Sequence, residues 1–273
     1  MRMINLGCGN SYHKDWVNID FVSHKKEVLS YNLLKGIPYP DNYFDVVYHS
    51  HLLEHFTKTD AIFFIKECYR VLKPQGIIRT VVPNLEKIVD NYKKYLDLTL
   101  TGDKSAEKIY DWIMLTLYDQ CVRNQSGGEM LKIIKDKKIY NKILYKDTGY
   151  FYNTTKKNKF DNNSNQSFLP KIKPIIKKFI PVRKIRIFLK KLKNNIPKGK
   201  YRQLGKFRLS GEIHQWMYDR FSLTRLLQQC NFKKPKVYKA NESEIKNWDK
   251  FFLDTKTNGS IRKPDSLFIE AIK

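Results

Sequence analysis

The sequence has no long hydrophobic run and few cysteines. None of its apolar stretches approaches the roughly 18 residues that cross a bilayer, and its first residues lack the basic and apolar regions of a secretory signal. The four cysteines are far apart and form no C-x-x-C pair, which argues against a zinc knuckle and a disulfide framework. We therefore expect a cytoplasmic protein with reduced thiols and no metal ligands.

Acidic residues are missing from one long stretch. Residues 162–211 contain no Asp or Glu and 15 Lys or Arg, so they carry +15 of the formal net charge of +25. Within this stretch, residues 182–193 place apolar and basic side chains at helical spacing, which predicts a basic amphipathic helix. The helix either lies on an anionic membrane surface, making the protein peripheral to a membrane, or packs on its own domain. Nucleic acid is the less favoured partner, because no nucleic-acid-binding module is recognisable.

Short β-branched or aromatic runs alternate with turns over the first ninety residues, a pattern that predicts βαβ units and a parallel sheet. Regular structure resumes after Glu212, where two further strands are placed to complete the same sheet. The predicted strands are 2–6, 17–21, 27–31, 44–49, 77–82, 236–239 and 266–272, and the predicted helices are 60–72, 85–96, 109–122 and 221–230. In the first helix, one face carries Ile62, Ile65, Tyr69 and Leu72.

A glycine turn follows the first predicted strand. Gly7 and Gly9 have the backbone freedom to approach a nucleotide closely, and Asp20 ends the next strand, where a carboxylate meets ribose hydroxyls. The third glycine of a dinucleotide fingerprint is absent, since Ser11 stands in its place. The step from Gly9 to Asp20 is also too short for a full crossover helix, which argues against an NAD enzyme.

Several segments, in the right order, resemble the motifs of class I S-adenosylmethionine-dependent methyltransferases. Among them, residues 16–20 (WVNID) are similar to the family's short-crossover element, which delivers the acid that binds the ribose. The segments are residues 4–9 (INLGCG), 16–20 (WVNID), 37–47 (IPYPDNYFDVV), 50–56 (SHLLEHF), 70–76 (RVLKPQG) and 211–219 (GEIHQWMYD).

The resemblance implies S-adenosylmethionine as cofactor and a set of residues that bind it. Asn5 and Asn32 stand where the family often has acids, and an amide lacks the charge assistance of a carboxylate, so we expect weaker binding. Gln75 likewise replaces the first glycine of a family turn. The implied cofactor residues are Gly7, Cys8 and Gly9 along the methionine moiety, Asp20 on the ribose, Asn32 and Leu33 bordering the adenine, and in addition Asn5 and Ser50.

The resemblance also places the segment after the fourth strand beside the sulfonium of the cofactor. His51 is the candidate general base, because histidine titrates near neutrality. Glu54 and His55 join it as catalytic candidates, or they only orient the following turn. Catalysis by positioning alone stays open. A second polar and aromatic group, His214, Trp216 and Tyr218, is predicted to line either the acceptor pocket or the core.

Residues 51–55 (HLLEH) also match the H-x-x-E-H pattern, in which two histidines on one helical face bind zinc. A zinc peptidase is therefore the lesser alternative. A second alternative is a catalytically degenerate protein that keeps the cofactor fold and attaches to a membrane or RNA through its basic segment.

The sequence thus predicts an α/β protein with a Rossmann-like, mostly parallel sheet and an antiparallel C-terminal strand. Residues 1–98 and 211–273 form the cofactor-binding core. A helical, basic insertion over 99–210 interrupts it, either as an acceptor cap or as a membrane-facing part. The predicted activity is methyl transfer to a hydroxyl or other nucleophile of a small molecule, a glycan or a lipid-linked acceptor.

Overall fold

A computed structural model describes residues 1–23, 25–135 and 199–273 of the chain. Seven strands in these ranges form one sheet in the order β3-β2-β1-β4-β5-β7-β6. Strands β1 to β5 run parallel to one another, and β7 is antiparallel to both β5 and β6. The strands are β1 (Met3–Leu6), β2 (Val17–Asp20), β3 (Val28–Ser30), β4 (Phe44–Ser50), β5 (Leu72–Pro83), β6 (Lys233–Tyr238) and β7 (Ser266–Ile272).

This topology confirms the predicted fold class, including the antiparallel strand near the C-terminus. Every predicted strand is present, and β7 has the predicted bounds. Residues 73–76 bulge out of β5, because β4 pairs with Leu72 and then directly with Ile77. Gln75 has φ +66° in this bulge, a conformation that suits the glycine found there in the resembling family.

Six helices accompany the sheet in the described ranges, and side chains cap several of them. Thr57 accepts a hydrogen bond from the Asp60 N–H, and Asp219 forms a capping box with Ser222. The helices are α1 (Lys58–Val71), α2 (Leu85–Leu100), α3 (Lys104–Val122), α4 (Gly128–Lys135), α5 (Lys200–Arg208) and α6 (Arg220–Gln229).

The buried face of α1 differs from the predicted one. Ile62 is 38% exposed, and Tyr69 is only partly buried. The buried residues are Ala61, Phe64, Ile65, Cys68 and Val71. Because residues 61–65 are all apolar, their pattern fits two helical phases equally well. Packing against the sheet selects the phase that begins at Ala61.

The two faces of the sheet bury different cores. Alternation along β1 sends Ile4 and Leu6 to a large core that also packs α1 and α6. Met3 points to the other face, where it joins Trp16, Tyr48 and Trp248 in a smaller aromatic core. This second face is covered largely by the segment between β6 and β7.

That a helical, basic insertion over residues 99–210 interrupts the cofactor-binding core stays a prediction. Helices α3, α4 and α5 lie within residues 99–210, but residues 136–198, with the basic amphipathic helix proposed for 182–193, are outside the described ranges. No helix in the part of the chain that the structure describes has the length and apolar character of a membrane span.

Arg79 lies at the centre of the aromatic core and is fully buried. Its guanidinium contacts Asp254 Oδ2 at 2.7 Å and Glu270 Oε1 at 2.6 Å, and it also donates to the Glu242 carbonyl at 2.9 Å. The Tyr48 hydroxyl donates to the other oxygen of Asp254 at 2.6 Å. This network fastens the segment between β6 and β7 to the sheet.

Replacing Arg79 by methionine should lower the free energy of unfolding by about 3–5 kcal/mol, because two carboxylates would stay buried without their cation. Urea unfolding followed by circular dichroism measures the change. Lys104→Met removes a cation from the exposed Lys104–Glu107 pair and should leave the midpoint unchanged. Equal midpoints for Arg79→Met and the parent chain would refute the central role of the network.

Candidate functional site

The glycine turn after β1 has the geometry that the sequence predicts. Gly7 has φ +66° and Gly9 has φ +52°. A Cβ on Gly7 would lie 2.8 Å from Leu52 Cδ1, so a side chain here would strain the backbone and displace the end of the Leu52 side chain. The Cys8 N–H donates to the Ile19 carbonyl at 3.1 Å and ties the turn to β2.

Two side chains hold this turn from either side. Asp20 Oδ2 accepts a hydrogen bond from the Gly9 N–H at 2.7 Å, and the carboxylate is only partly buried. Asn5 is buried, and its amide donates to the Ser11 carbonyl at 3.0 Å. The amide at position 5 therefore supports the loop, while the carboxylate of Asp20 stands beside the turn and remains accessible.

A cavity of about 390 Å³ opens at the carboxyl ends of β1 and β4. Ligands of α/β sheets bind at this edge, and the volume is in the range of small-molecule sites. The structure brings six predicted site residues together in its wall, and these are Asn5, Gly7, Cys8, Gly9, Ser50 and His51. Burial raises the pKa of the Cys8 thiol to about 12, so this wall residue is uncharged at neutral pH.

Three predicted cofactor residues lie outside the cavity wall. Asp20 supports the turn from outside, as described above. Asn32 Oδ1 accepts a hydrogen bond from the Leu34 N–H at 3.0 Å and caps a short 3-10 helix, Leu33–Lys35. Leu33 is 5% exposed and packs in the large core. The adenine contacts assigned to Asn32 and Leu33 stay predictions.

The opposite wall comes from a part of the chain that sequence reasoning missed. Leu253, Asp254, Lys256, Arg262 and Lys263 line the cavity from the segment before β7. Burial raises the pKa of Asp254, and desolvation by the surrounding protein lowers the pKa of Lys263. The one local signal was the run 262–265 (RKPD), which places charges directly before the last strand.

His51 adopts a strained backbone conformation at the cavity wall, with φ +52°. Its N–H donates to the Val81 carbonyl at 2.9 Å, which holds this conformation. The ring places Nε2 at 2.7 Å from Ser266 Oγ and Nδ1 at 3.4 Å from Glu54 Oε1. Burial lowers the pKa of His51 well below its usual value, so the imidazole is neutral.

Glu54 is fully buried directly behind His51. Neither of its carboxylate oxygens has a hydrogen-bond donor among the described residues. Burial raises the pKa of this carboxyl to about 8, while the charge of Lys263 acts in the opposite direction. His51 Nδ1 and Glu54 Oε1 lie 3.4 Å apart but form no hydrogen bond, so the two residues differ from a hydrogen-bonded His–carboxylate dyad.

The three candidate acceptor residues have different surroundings. His214 is buried and meets His55 edge to face, with ring centroids 4.8 Å apart. Trp216 is exposed and has Lys58 Nζ 3.7 Å from its ring centroid, whereas Tyr218 is buried in the large core. None of the three lines the cavity described above, so their contact with an acceptor stays a prediction.

The H-x-x-E-H segment lacks the continuous helix that the zinc peptidase alternative requires. Leu53–His55 is a single turn of 3-10 helix, and His51 is engaged with Ser266 before this turn begins. Glu54 and His55 instead meet His214, and one ligand atom from each lies within 4.8 Å of the others. These three side chains have the chemistry of metal ligands.

Comparison with known proteins agrees with this arrangement. A family model described as "Methyltransferase domain" matches residues 18–80. The chain is 45% identical over 115 residues to the ubiquinone/menaquinone biosynthesis C-methyltransferase UbiE of Burkholderia cenocepacia, which covers 40% of this chain and 44% of that protein. It is 32% identical over 111 residues to the "Probable methyltransferase ltbC" of Aspergillus luteorubrus, over 36% of this chain and 38% of that protein.

The chain therefore spans less than half the length of these curated relatives. A solved S-adenosylmethionine-dependent methyltransferase from Archaeoglobus fulgidus aligns over 100% of this chain and 86% of its own, with 12% identity and a TM-score of 0.38. Such a TM-score is too low to support any conclusion about fold or function.

The family match and the sheet order support each other. The matched residues run from β2 to β5, and the glycine turn directly before them faces the cavity at the carboxyl edge of that sheet. Over residues 18–80 the chain is thus similar to methyltransferase domains, on the part of the sheet that carries the cavity.

Proposed function

We propose that this protein transfers the methyl group of S-adenosylmethionine to a hydroxyl, or another nucleophile, of a small molecule, a glycan or a lipid-linked acceptor. One observation carries the proposal: the glycine turn and His51 lie in the wall of the same cavity. A cofactor held by the turn would therefore have the candidate base within the same enclosure.

The residues of the turn fit the cofactor. The bare Cα of Gly7 leaves the backbone open, where any Cβ would collide with Leu52. The carboxylate of Asp20 already accepts one N–H, and a carboxylate has acceptor capacity left for the ribose hydroxyls. Asn5 supports the turn with its amide and adds no charge. Asp20 is therefore the anion that we assign to cofactor binding.

The bound cofactor supplies a methyl group on a sulfonium, which needs an aligned nucleophile. His51 is neutral, so its ring can take the proton that an acceptor hydroxyl loses as its oxygen gains the methyl group. A low pKa also makes His51 a weak base, and an ionised Glu54 behind Nδ1 would strengthen it. The strained backbone of His51 fixes the ring at the wall.

The acceptor class is proposed from the relatives and from the charge of one segment. The Burkholderia relatives carry the name of a C-methyltransferase of quinone biosynthesis, but the match covers 40% of this chain. The charge of residues 162–211 favours an anionic surface, and we propose that residues 182–193 bring the protein to an anionic membrane or a lipid-linked acceptor. Binding to vesicles with and without anionic lipid tests this part separately.

Gly7→Ala should weaken the binding of S-adenosylhomocysteine by at least about tenfold. The left-handed conformation costs an L residue about 1–2 kcal/mol, and the added Cβ must displace the Leu52 side chain that packs beside the turn. Isothermal titration calorimetry measures the affinity.

Gly102→Ala is the matched control for this change. Gly102 has φ +91°, nothing lies within 4 Å of its added Cβ, and it is in the turn between α2 and α3. Gly102→Ala should lower the free energy of unfolding and keep the parent chain's affinity for S-adenosylhomocysteine. Absence of binding by the parent, or equal affinity for Gly7→Ala, would count against the cofactor site.

His51→Asn should lower the rate of methyl transfer by about 100- to 10 000-fold and leave S-adenosylhomocysteine affinity nearly unchanged. Asparagine tolerates the left-handed backbone at position 51 but cannot accept the proton. Transfer of tritium from labelled cofactor into fractionated cell extract measures the rate before the acceptor is known.

His13→Asn is the control, because His13 lies outside the cavity wall and should keep the parent rate. A rate loss below threefold for His51→Asn would indicate catalysis by positioning without a base. Cofactor binding without transfer into any extract would favour the degenerate binding protein and contradict the proposed activity.

A further inference from the structure

Glu54, His55 and His214, here called the Glu54 cluster, join two distant parts of the chain. Glu54 and His55 lie in the 3-10 turn after β4, and His214 lies in the segment before α6. The Gln215 and Trp216 N–H groups both donate to the Glu54 carbonyl, at 2.7 and 3.2 Å. The cluster is therefore held together by backbone contacts that do not depend on its side chains.

The side chains of the cluster are buried but incompletely satisfied. Both oxygens of Glu54 and Nδ1 of His214 have no hydrogen-bond partner among the described residues. His55 Nδ1 lies 3.1 Å from the Ile213 carbonyl, an arrangement that fixes the ring and leaves Nε2 for another contact. Buried polar atoms without partners are unfavourable, and here three of them occur around one point.

We propose that the Glu54 cluster binds one divalent transition-metal ion, for which Zn²⁺ is the probe. Two imidazoles and one carboxylate form a common three-ligand set for this ion. One ligand atom from each side chain lies within 4.8 Å of the others, whereas a tetrahedral ion would bring them to about 3.3 Å. Side-chain adjustments of about 1 Å would close the site.

The protonation states agree with this assignment. Burial lowers the pKa of both histidines, that of His214 to about 3, so both rings are in the neutral form that binds metals. A cation would also stabilise the charge of the Glu54 carboxylate, which burial alone disfavours. The sequence pointed to a metal only through the H-x-x-E-H pattern, which leaves out His214 because that residue is far from the segment along the chain.

Two nearby cations set a limit on affinity. Arg123 acts on both histidines, but its Nη2 lies 3.3 Å from Glu212 Oε1 and donates to the Glu212 carbonyl at 3.0 Å. Lys263 acts on the cluster as well, most strongly through Glu54 itself and then through Asp265 and Asp254. Arg123 thus has an anionic neighbour outside the cluster, whereas Lys263 competes with a metal ion for the charge of Glu54.

The peptidase pattern and the Glu54 cluster use the glutamate differently. In the H-x-x-E-H pattern the two histidines bind the ion and the glutamate is a base. Here His51 is not among the three side chains that meet, and Glu54 takes its place as a ligand. The inference does not depend on the proposed methyl transfer, since metal binding is measured without cofactor or acceptor.

The test uses the full chain after chelator treatment and dialysis. Calorimetric titration with Zn²⁺ and elemental analysis should give one ion per chain, and Co²⁺ should give the visible absorption of a site with nitrogen and oxygen ligands. His214→Ala and Glu54→Gln should each weaken Zn²⁺ binding by at least about tenfold.

His13→Ala is the matched control. His13 Nδ1 lies 3.8 Å from Asp15 Oδ2 and is not part of the Glu54 cluster, so this variant should still bind one Zn²⁺ ion per chain. Circular dichroism identifies variants that fail to fold, and the parent titration decides the question without any variant. Less than about 0.2 ion per chain in the parent, or full binding by both folded cluster variants, would overturn the proposal.

Discussion

The site depends on one buried ion network, in which Arg79 of β5 holds the segment between β6 and β7. Asp254 accepts from Arg79 and Tyr48 and also lines the cavity. Breaking such a network leaves charges in a medium that solvates them poorly, so the segment stays closed on the sheet. Because that segment supplies one wall, the network also gives the cavity its shape. The side chains at the wall are thus positioned by a contact that takes no part in the chemistry.

The fold was predictable where the hydrophobic pattern is periodic and the turns have characteristic residues. Strand β7 had the right bounds because seven mostly apolar residues end the chain between polar neighbours. The face of α1 was wrong for the opposite reason, since consecutive apolar residues do not define a phase. Helix α2 extends four residues past its prediction, because Leu98 and Leu100 follow on from its periodic part and no helix-breaking residue precedes Thr101.

Some residues of the site could be predicted from the local sequence, and others reach the site only through the tertiary structure. Gly7 and His51 were predicted and lie in the cavity wall, and Asp20 was predicted and contacts the glycine turn, because turn chemistry and motif order are local properties of the chain. Lys263 and Asp254 were missed, since they reach the cavity only through the antiparallel pairing of β7 with β5 and through Arg79. Charged residues in a loop usually face solvent, and only the tertiary structure shows that Asp254 is buried and that Lys263 lines the cavity.

Glu54 links the two functions proposed for this region. A buried carboxylate without hydrogen-bond donors has three available states: protonated, paired with the charge of Lys263, or bound to a cation. In the protonated state it gives no electrostatic support to His51, which then remains a weak base. In either ionised state its negative charge, 3.4 Å from Nδ1, favours a proton on the His51 ring. An ion on the far side of the carboxylate would keep it ionised while withdrawing part of its charge. The base strength of His51 therefore depends on what balances the charge of Glu54.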